Sequence, residues 1–220
     1  MEQQIIEKTA KNRGISPDAV VREYYEYLLL KELYESPVGG SIVFKGGTAL
    51  RMFYGLPRYS DDLDFTMDKP FSFGAFSKAV KQCVKKFGNM SISDLWEKRK
   101  TFLCEISVTE AWMKMPFSVK IEVSRRAPGA KRDFGLKLAV SEDFKTEVFG
   151  RVYSLDALFE DKKAALSGRD EPKDYFDLWY ICQLKKIPFE PGKKPDKKRY
   201  RQVLGKYVPR RYLKILDEIL

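Results

Sequence analysis

Two aspartates at alternate positions of a short segment are the residues in this sequence that point most directly to chemistry. Residues 62–67 read Asp-Leu-Asp-Phe-Thr-Met, an alternation typical of a strand with one apolar face. Asp62 and Asp64 therefore share the other face, with Cα atoms roughly 7 Å apart. At about 5 Å between the charges and an effective dielectric of about 20, their repulsion is on the order of 3 kcal/mol. A hard divalent cation such as Mg²⁺, which prefers oxygen ligands, would relieve it.

A glycine pair followed by a hydroxyl residue lies upstream of these acids. Ile42-Val43-Phe44 predicts a strand, Gly46-Gly47 a tight turn, and Thr48 the N-cap of the helix that follows. Backbone N–H groups at such a helix start bind anions, most naturally a phosphate. A glycine pair alone often marks only a turn, and acids after a turn can serve only to solubilise a loop. The combination favours a phosphate and metal site.

A third carboxylate is expected from the predicted strand 118–124. Its valines and isoleucine face inward, which leaves Lys120 and Glu122 together on the opposite face. Glu122 comes to lie beside Asp62 and Asp64 if the two strands are neighbours. Taken alone, an exposed glutamate on a strand is more often structural or neutral than functional, and the paired aspartates make the two interpretations about equal.

The composition describes a globular chain with a basic surface. The 220 residues, 44% hydrophobic and 33% charged, can bury one core or two closely joined lobes. A formal net charge of +10 favours anionic partners, nucleic acid first, although excess lysine also serves solubility. Because the chain has no histidine, Ser-His-Asp chemistry and imidazole zinc sites are excluded.

The cysteines and the apolar segments predict a cytoplasmic protein. Cys83, Cys104 and Cys182 are far apart and set among apolar neighbours, as expected for buried, reduced thiols. No signal peptide is evident, and no apolar run approaches the roughly 18 residues that cross a bilayer. We therefore expect no membrane partner.

The remaining segments predict alternating helices and strands. Helix is expected through most of the first 35 residues, with Ser16-Pro17 as a helix start, and again over 76–87, 155–166 and from 172. Strands are expected over 101–109, 118–124, 134–140 and 146–149, with a basic loop from residue 125. We divide the chain into a core with N-terminal helices, residues 1–150, and a helical C-terminal region, residues 151–220.

The last part of the chain is strongly basic. Between Lys193 and Lys214 ten lysines and arginines stand against one acid, Asp196, with tyrosines interleaved. This pattern is typical of a nucleic-acid surface with stacking rings, and equally of the solvated end of an amphipathic helix. The sequence leaves both interpretations open.

Four segments together resemble the AbiEii/AbiGii nucleotidyltransferase toxin family. FKGGTAL at 44–50 and RYSDDLDF at 58–65 look like its first motif. LFEDKKAAL at 158–166 and KDYFDL at 173–178 are similar to its downstream lysine and aspartate motifs. The resemblance implies an α+β fold, a mixed-sheet core like that of DNA polymerase β flanked by helices, with a helical C-terminal portion that completes the active site.

The resemblance also implies an activity and its participants. Such proteins transfer a nucleotide from a nucleoside triphosphate to an acceptor with Mg²⁺, two ions being expected. In some members the acceptor is RNA, namely the tRNA 3′ end, and the protein is the toxin of a toxin–antitoxin or phage-defence system with an antitoxin encoded nearby. Carried over by position, the metal ligands are Asp62, Asp64 and Glu122. The nucleotide-binding residues are Gly46, Gly47, Thr48, Arg58, Ser60 and Lys162, and the catalytic set is the three acids with Lys162 and Asp174, supported by Asp177.

Read without the resemblance, the downstream residues have ordinary explanations. Lys162 would be a surface lysine whose stem lies along its helix, and Asp174 would favour the positive end of the next helix. Two other functions also stay open. The chain could bind nucleotide or RNA without turnover, or it could transfer a nucleotide to a small molecule.

Overall fold

One mixed seven-stranded sheet forms the centre of the protein, in a computed structural model that describes residues 2–126, 133–192 and 195–219. Its strands are β1 (Ile42–Lys45), β2 (Asp62–Met67), β3 (Met90–Lys98), β4 (Thr101–Val108), β5 (Phe117–Ser124), β6 (Phe134–Ser141) and β7 (Thr146–Tyr153). They lie in the order β3-β4-β5-β2-β1-β7-β6. The β2–β5 and β1–β7 pairs are parallel and the others antiparallel.

Helices cover both faces of this sheet and make the fold α+β, as expected. In the described residues they are α1 (Gln3–Arg13), α2 (Pro17–Glu35), α3 (Gly46–Tyr54), α4 (Phe73–Lys85), α5 (Leu155–Gly168), α6 (Pro172–Lys185), α7 (Lys197–Leu204) and α8 (Leu213–Ile219). The larger core packs α1, α2 and α4 against the sheet, and a second core joins α3 and β7 to α5–α8. None of the helices within these residues has the length and apolarity needed to cross a bilayer.

Most predicted elements are confirmed, including the helix start at Ser16-Pro17, and one strand was not predicted. The N-terminal helical stretch is two helices, because Gly14 adopts φ 68° and ends α1 before Ser16 caps α2. Strand β3 was not predicted because it lies at the edge of the sheet, where only Met90 of its nine residues is buried and apolar alternation is weak. Of the basic loop from residue 125, positions 127–132 lie outside the described residues.

The basic C-terminal stretch is helical and packs onto the protein. Three of its apolar side chains are buried in the second core, Tyr200, Leu204 and Val208, as is Leu216 just beyond it. The helical region begins at Leu155, directly after β7, which crosses residue 150. The amphipathic-helix interpretation is therefore confirmed for the described part of this stretch, whose lysines and arginines are exposed.

The three cysteines are free and buried, which confirms the prediction of structural thiols. Burial raises the pKa of Cys83 and of Cys104 to about 12 in each case. Both groups therefore remain protonated thiols at neutral pH and are poor nucleophiles.

Gly150 on β7 is required by a close approach of α2. A Cβ at Gly150 would lie 2.2 Å from the Tyr34 ring, and that ring is held by its hydroxyl, which donates to the Arg151 carbonyl at 2.6 Å. We expect Gly150→Ala to lower the free energy of unfolding in urea by about 1–3 kcal/mol through overpacking. Gly135→Ala on β6, where nothing lies within 4 Å, is the matched control and should change it little. Equal stability of both variants would refute this packing.

Glu26 on α2 is a buried carboxyl with an unusual protonation equilibrium. The residue is 1% exposed, and its Oε1 has no hydrogen-bond partner among the described residues. Burial, with the charge of Glu23 adding, raises its pKa well above 4.5, the ordinary value. The folded protein therefore keeps this proton over a pH range in which the unfolded chain has released it. Stability is lost as pH rises through that range.

We expect Glu26→Gln to raise the free energy of unfolding at pH 7 and to have a shrinking effect as the pH approaches 4.5. Urea unfolding at a series of pH values measures this. Glu35→Gln, at the exposed end of the same helix, is the control and should show no such trend. A Glu26→Gln variant that is less stable at every pH would mean that the carboxylate is ionised and paired.

Candidate active site

A cleft of about 670 Å³ opens where β1 ends, β2 begins, and α3, α5 and α6 meet the sheet. Its wall holds five basic side chains, Lys45, Lys120, Arg126, Lys162 and Arg169, and five acidic ones, Asp62, Asp64, Glu122, Asp161 and Asp174. The lining is therefore balanced in charge. The predicted acids and the predicted lysine are in one cavity.

The parallel pairing of β2 with β5 brings the three predicted acids together. Asp64 is directly opposite Glu122 in the register, and Asp62 is opposite Lys120. Burial raises the pKa of Asp64, and the charges of Asp62 and Glu122 add to that effect. The register confirms the expected proximity of the three acids, and the neighbouring charges disfavour ionisation of Asp64.

The donor set fits a hard divalent cation, although the acids are not closed into a cage. Within the described residues no three acidic or thiol side chains stand at metal-binding distance of one point. Asp62 and Glu122 keep side-chain exposures of 40% and 36%. Such a site suits Mg²⁺, because this ion binds a few carboxylate oxygens and leaves its other coordination positions to water and substrate phosphates.

Lys120 lies among these acids, and its role was not foreseen. Its ammonium is 3.1 Å from Asp62 Oδ2 and 3.9 Å from Glu122 Oε2. Burial alone would lower the pKa of Lys120, but attraction to Asp62, Asp64 and Glu122 outweighs it and raises that pKa. The signal was present in the sequence, because strand alternation places Lys120 on the face of Glu122.

The glycine pair allows backbone and side chains to meet closely behind the acids. Gly46 has φ 82°, and a Cβ there would lie 2.8 Å from Asp64 Oδ2. At Gly47 a Cβ would lie 2.4 Å from the Arg58 guanidinium and 2.9 Å from Ser60 Oγ. The glycines thus let α3 begin directly at the end of β1, with its N-terminus at the cleft.

Thr48 is not the N-cap of α3, contrary to the sequence interpretation. The helix starts at Gly46, and Lys45 is the residue at the N-cap position. Thr48 lies in the first turn, 1% exposed, and its hydroxyl donates to the Asp62 carbonyl at 2.6 Å. This bond ties the helix start to the acidic strand, so the hydroxyl positions Asp62.

Lys162 is buried and held by two aspartates of α6. It is 8% exposed, and its ammonium lies 2.8 Å from Asp174 Oδ1 and 2.6 Å from Asp177 Oδ2. Burial would lower the pKa of Lys162, but Asp177 and Asp174 outweigh it and raise that pKa. The lysine therefore stays charged against the cleft wall. Its interpretation as an ordinary surface lysine is wrong.

Arg58 lies inside the protein and anchors this cluster. It is 1% exposed, and its Nε and Nη2 donate to the two Asp177 oxygens, each at 2.6 Å. Burial would raise the pKa of Asp177, but Arg58 and Lys162 outweigh it and lower that pKa. Its guanidinium also donates to the Tyr59 carbonyl at 2.8 Å, and Arg58 is not among the residues that line the cleft.

The predicted nucleotide-binding residues thus divide into two groups. Gly46 and Lys162 line the cleft. The remaining four form the layer behind it: Gly47, Thr48, Arg58 and Ser60. Sequence reasoning did not single out Lys45, Asp161 and Arg169, which the cleft also includes. Arg169 donates to Asp174 Oδ2 at 2.7 Å, so it completes the ion cluster around that residue.

Comparison with known protein families identifies the family of this chain. The family model described as nucleotidyl transferase AbiEii toxin, Type IV TA system, matches residues 28–218. The chain belongs to the AbiEii nucleotidyltransferase toxin family. The match includes the glycine pair, the three acids and the Lys162 cluster.

Individual relatives of this AbiEii protein are distant. It is 24% identical over 160 residues to the uncharacterized protein aq_aa25 of Aquifex aeolicus, covering 72% of this chain and 66% of that protein, slightly less than two thirds of its length. JHP933 from Helicobacter pylori has a similar fold, with a TM-score of 0.56, 24% identity and coverage of 77% of this chain and 68% of that one. MenT4, a nucleotidyltransferase toxin from Mycobacterium tuberculosis, gives a TM-score of 0.60 at 18% identity, covering 93% and 69%.

The Arg58–Asp177 pair should be a major source of stability. We expect Arg58→Met to lower the free energy of unfolding by about 3–5 kcal/mol, because it removes one partner from a fully buried pair. Arg199→Met is the matched control, since the Arg199–Asp170 pair is about half exposed, and it should cost about 0–1 kcal/mol. Denaturant unfolding measures both. Similar losses in the two variants would contradict a special role for the buried pair.

Proposed function

We propose that this AbiEii protein transfers a nucleotide from a nucleoside triphosphate to RNA, such as the tRNA 3′ end, with Mg²⁺, as the toxin of a toxin–antitoxin system. The observation that carries the proposal is the meeting of three carboxylates with the N-terminus of α3 and with Lys162 in one cleft. Family membership supports the reaction class and an antitoxin partner.

In the proposed reaction an acceptor hydroxyl oxygen bonds to the α-phosphorus, and the bond from that phosphorus to pyrophosphate breaks. Asp62, Asp64 and Glu122 would hold Mg²⁺, which supplies charge neutralisation at the phosphates when bound. Glu122, more exposed than Asp64, would accept the hydroxyl proton. The acids would also orient the triphosphate, because they fix the position of the cation that neutralises its charge.

The other groups of the cleft bind and orient the leaving phosphates. The backbone N–H of Gly46, at the positive end of α3, would donate to a phosphate oxygen. Lys162 carries three N–H donors; Asp174 and Asp177 accept from its ammonium, and a further donor would serve the pyrophosphate. Because those aspartates hold the ammonium before substrate arrives, little reorganisation is needed during the reaction.

An RNA acceptor is favoured over a small molecule by the distribution of charge. The cleft lining has equal numbers of basic and acidic side chains, whereas the whole chain carries +10. The excess positive charge therefore lies outside the cleft lining. A polyanion long enough to extend from the cleft would use that charge, and a small acceptor confined to the cleft would not.

The direct test is to incubate the protein with total RNA, Mg²⁺ and each labelled nucleoside triphosphate in turn. We expect label from at least one triphosphate to move to RNA, and addition of a chelator to stop it. Label that moves only to a small-molecule fraction would overturn the RNA acceptor. If the protein binds a triphosphate but transfers no nucleotide, the proposed activity is wrong. A protein that only binds would also keep that binding in the Glu122→Gln variant.

Asp64→Asn should abolish transfer while the fold is kept. The substitution preserves shape but removes a charge from the proposed metal site. Since even outer-sphere partners of metal ligands are worth about 10–100-fold, we expect a loss of at least about 100-fold in the transfer rate. Asp94→Asn, on the exposed edge strand β3, is the control and should keep full activity. Thermal unfolding checks that both variants are folded, and full activity of Asp64→Asn would remove the metal role.

A further inference from the structure

Four charged side chains form a square on one face of the sheet at the bottom of the cleft. In the β2–β5 register Asp62 is opposite Lys120, and Asp64 is opposite Glu122. The ammonium of Lys120 lies 3.1 Å from Asp62 Oδ2 and 3.9 Å from Glu122 Oε2. One corner of the square is therefore a cation that contacts two of the three proposed metal ligands.

Two other lysines of the cleft form ion pairs with different acids. Lys45 lies 3.3 Å from Asp161, and Lys162 is held inside the Asp174–Asp177 cluster. Lys120 differs from them because its partners are the acids that Mg²⁺ would use. Its side chain is 33% exposed, so its flexible four-carbon stem is free to swing toward solvent.

We propose that Lys120 is a displaceable internal counter-ion that occupies the carboxylate site until metal and nucleoside triphosphate arrive together. A divalent cation and the ammonium cannot share the same oxygens, because like charges a few ångströms apart repel strongly in a cleft. Metal alone must expel Lys120 without giving it a new partner. Metal with a triphosphate brings negative oxygens that the displaced ammonium can contact.

The consequence is a coupling between the two ligands. Lys120 weakens the binding of free metal, and this competition is removed when the triphosphate gives the ammonium a new partner. Each ligand therefore increases the affinity for the other by the same factor. This coupling would keep the metal site of the toxin largely empty until its nucleotide binds. This inference rests on the proposed metal-dependent transfer.

The test measures Mn²⁺ binding by electron paramagnetic resonance in wild-type protein and in Lys120→Met, with and without a non-hydrolysable triphosphate. We expect Lys120→Met to bind Mn²⁺ alone about tenfold more tightly or better. We also expect the factor by which the triphosphate improves Mn²⁺ binding to be smaller in Lys120→Met than in wild type. Lys120→Arg keeps the positive charge and should retain weak binding of the free metal.

Lys45→Met separates direct occupancy from a general change of charge. Lys45 is opposite Asp64 across β1 and β2, but its ammonium lies at Asp161. We expect its loss to change Mn²⁺ affinity by less than about threefold. Equal tightening in Lys45→Met and Lys120→Met would overturn the proposal, as would unchanged affinity in Lys120→Met.

The failure of this inference is distinguishable from failure of the proposed function. If Asp64→Asn abolishes Mn²⁺ binding while Lys120→Met leaves it unchanged, the metal site stands and the counter-ion role is wrong. If Asp64→Asn leaves Mn²⁺ binding unchanged, the metal site itself is wrong, and both proposals fall with it.

Discussion

The parallel pairing of β2 with β5 is the constraint on which the active site depends. It joins strands that are more than fifty residues apart in the chain and sets Asp64 opposite Glu122. Because side chains alternate along a strand, a slip of one residue would turn Glu122 into the core and an apolar neighbour into the cleft. The buried apolar side chains on the other face, such as Leu63 and Ile121, oppose that slip. Core packing thus fixes the geometry of the acids.

A second constraint is the buried ion cluster that joins the α6 helix to the loop before β2. Charges inside a protein are costly unless each is paired and hydrogen-bonded. Here Asp177 accepts hydrogen bonds from Arg58 and forms an ion pair with Lys162. The same cluster therefore locks the loop that leads to Asp62 and sets the ammonium of Lys162 beside the cleft. Stability and catalytic geometry depend on the same contacts, and removal of one member disturbs both.

The two constraints place charged side chains of both signs on facing walls of one cavity. The sheet wall carries Asp62, Asp64 and Glu122, with Lys120 among them, and the helical wall carries Lys162 with its aspartates. In the function proposed above, a triphosphate and its metal would lie between these walls, with the cation at the acids and the anionic oxygens at α3 and Lys162. A glycine is needed at position 46 in this arrangement, because any side chain there would contact Asp64. The basic surface outside the cleft is then available to a polymer.

The sequence by itself determined the local chemistry. Strand alternation placed Asp62 with Asp64 and Lys120 with Glu122, the glycine pair marked a close approach, and Ser16-Pro17 marked the start of α2. Resemblance to the family supplied the fold class and pointed to Lys162 and Asp174, which periodicity alone described as ordinary surface residues. Local signals of this kind depend on neighbours in the chain, and they failed at β3, whose edge position leaves little apolar alternation to detect.

Tertiary structure decided which of these residues meet. The alignment of β2 with β5, the burial of Arg58 against Asp177, and the position of Lys120 between two acids all join residues distant in sequence. The resemblance named Arg58 only as a nucleotide-binding residue, and the folded chain buries it against Asp177 of a helix more than a hundred residues away. The physical reason is that burial and pairing of charge are properties of the space around a group, which the order of residues along the chain does not specify.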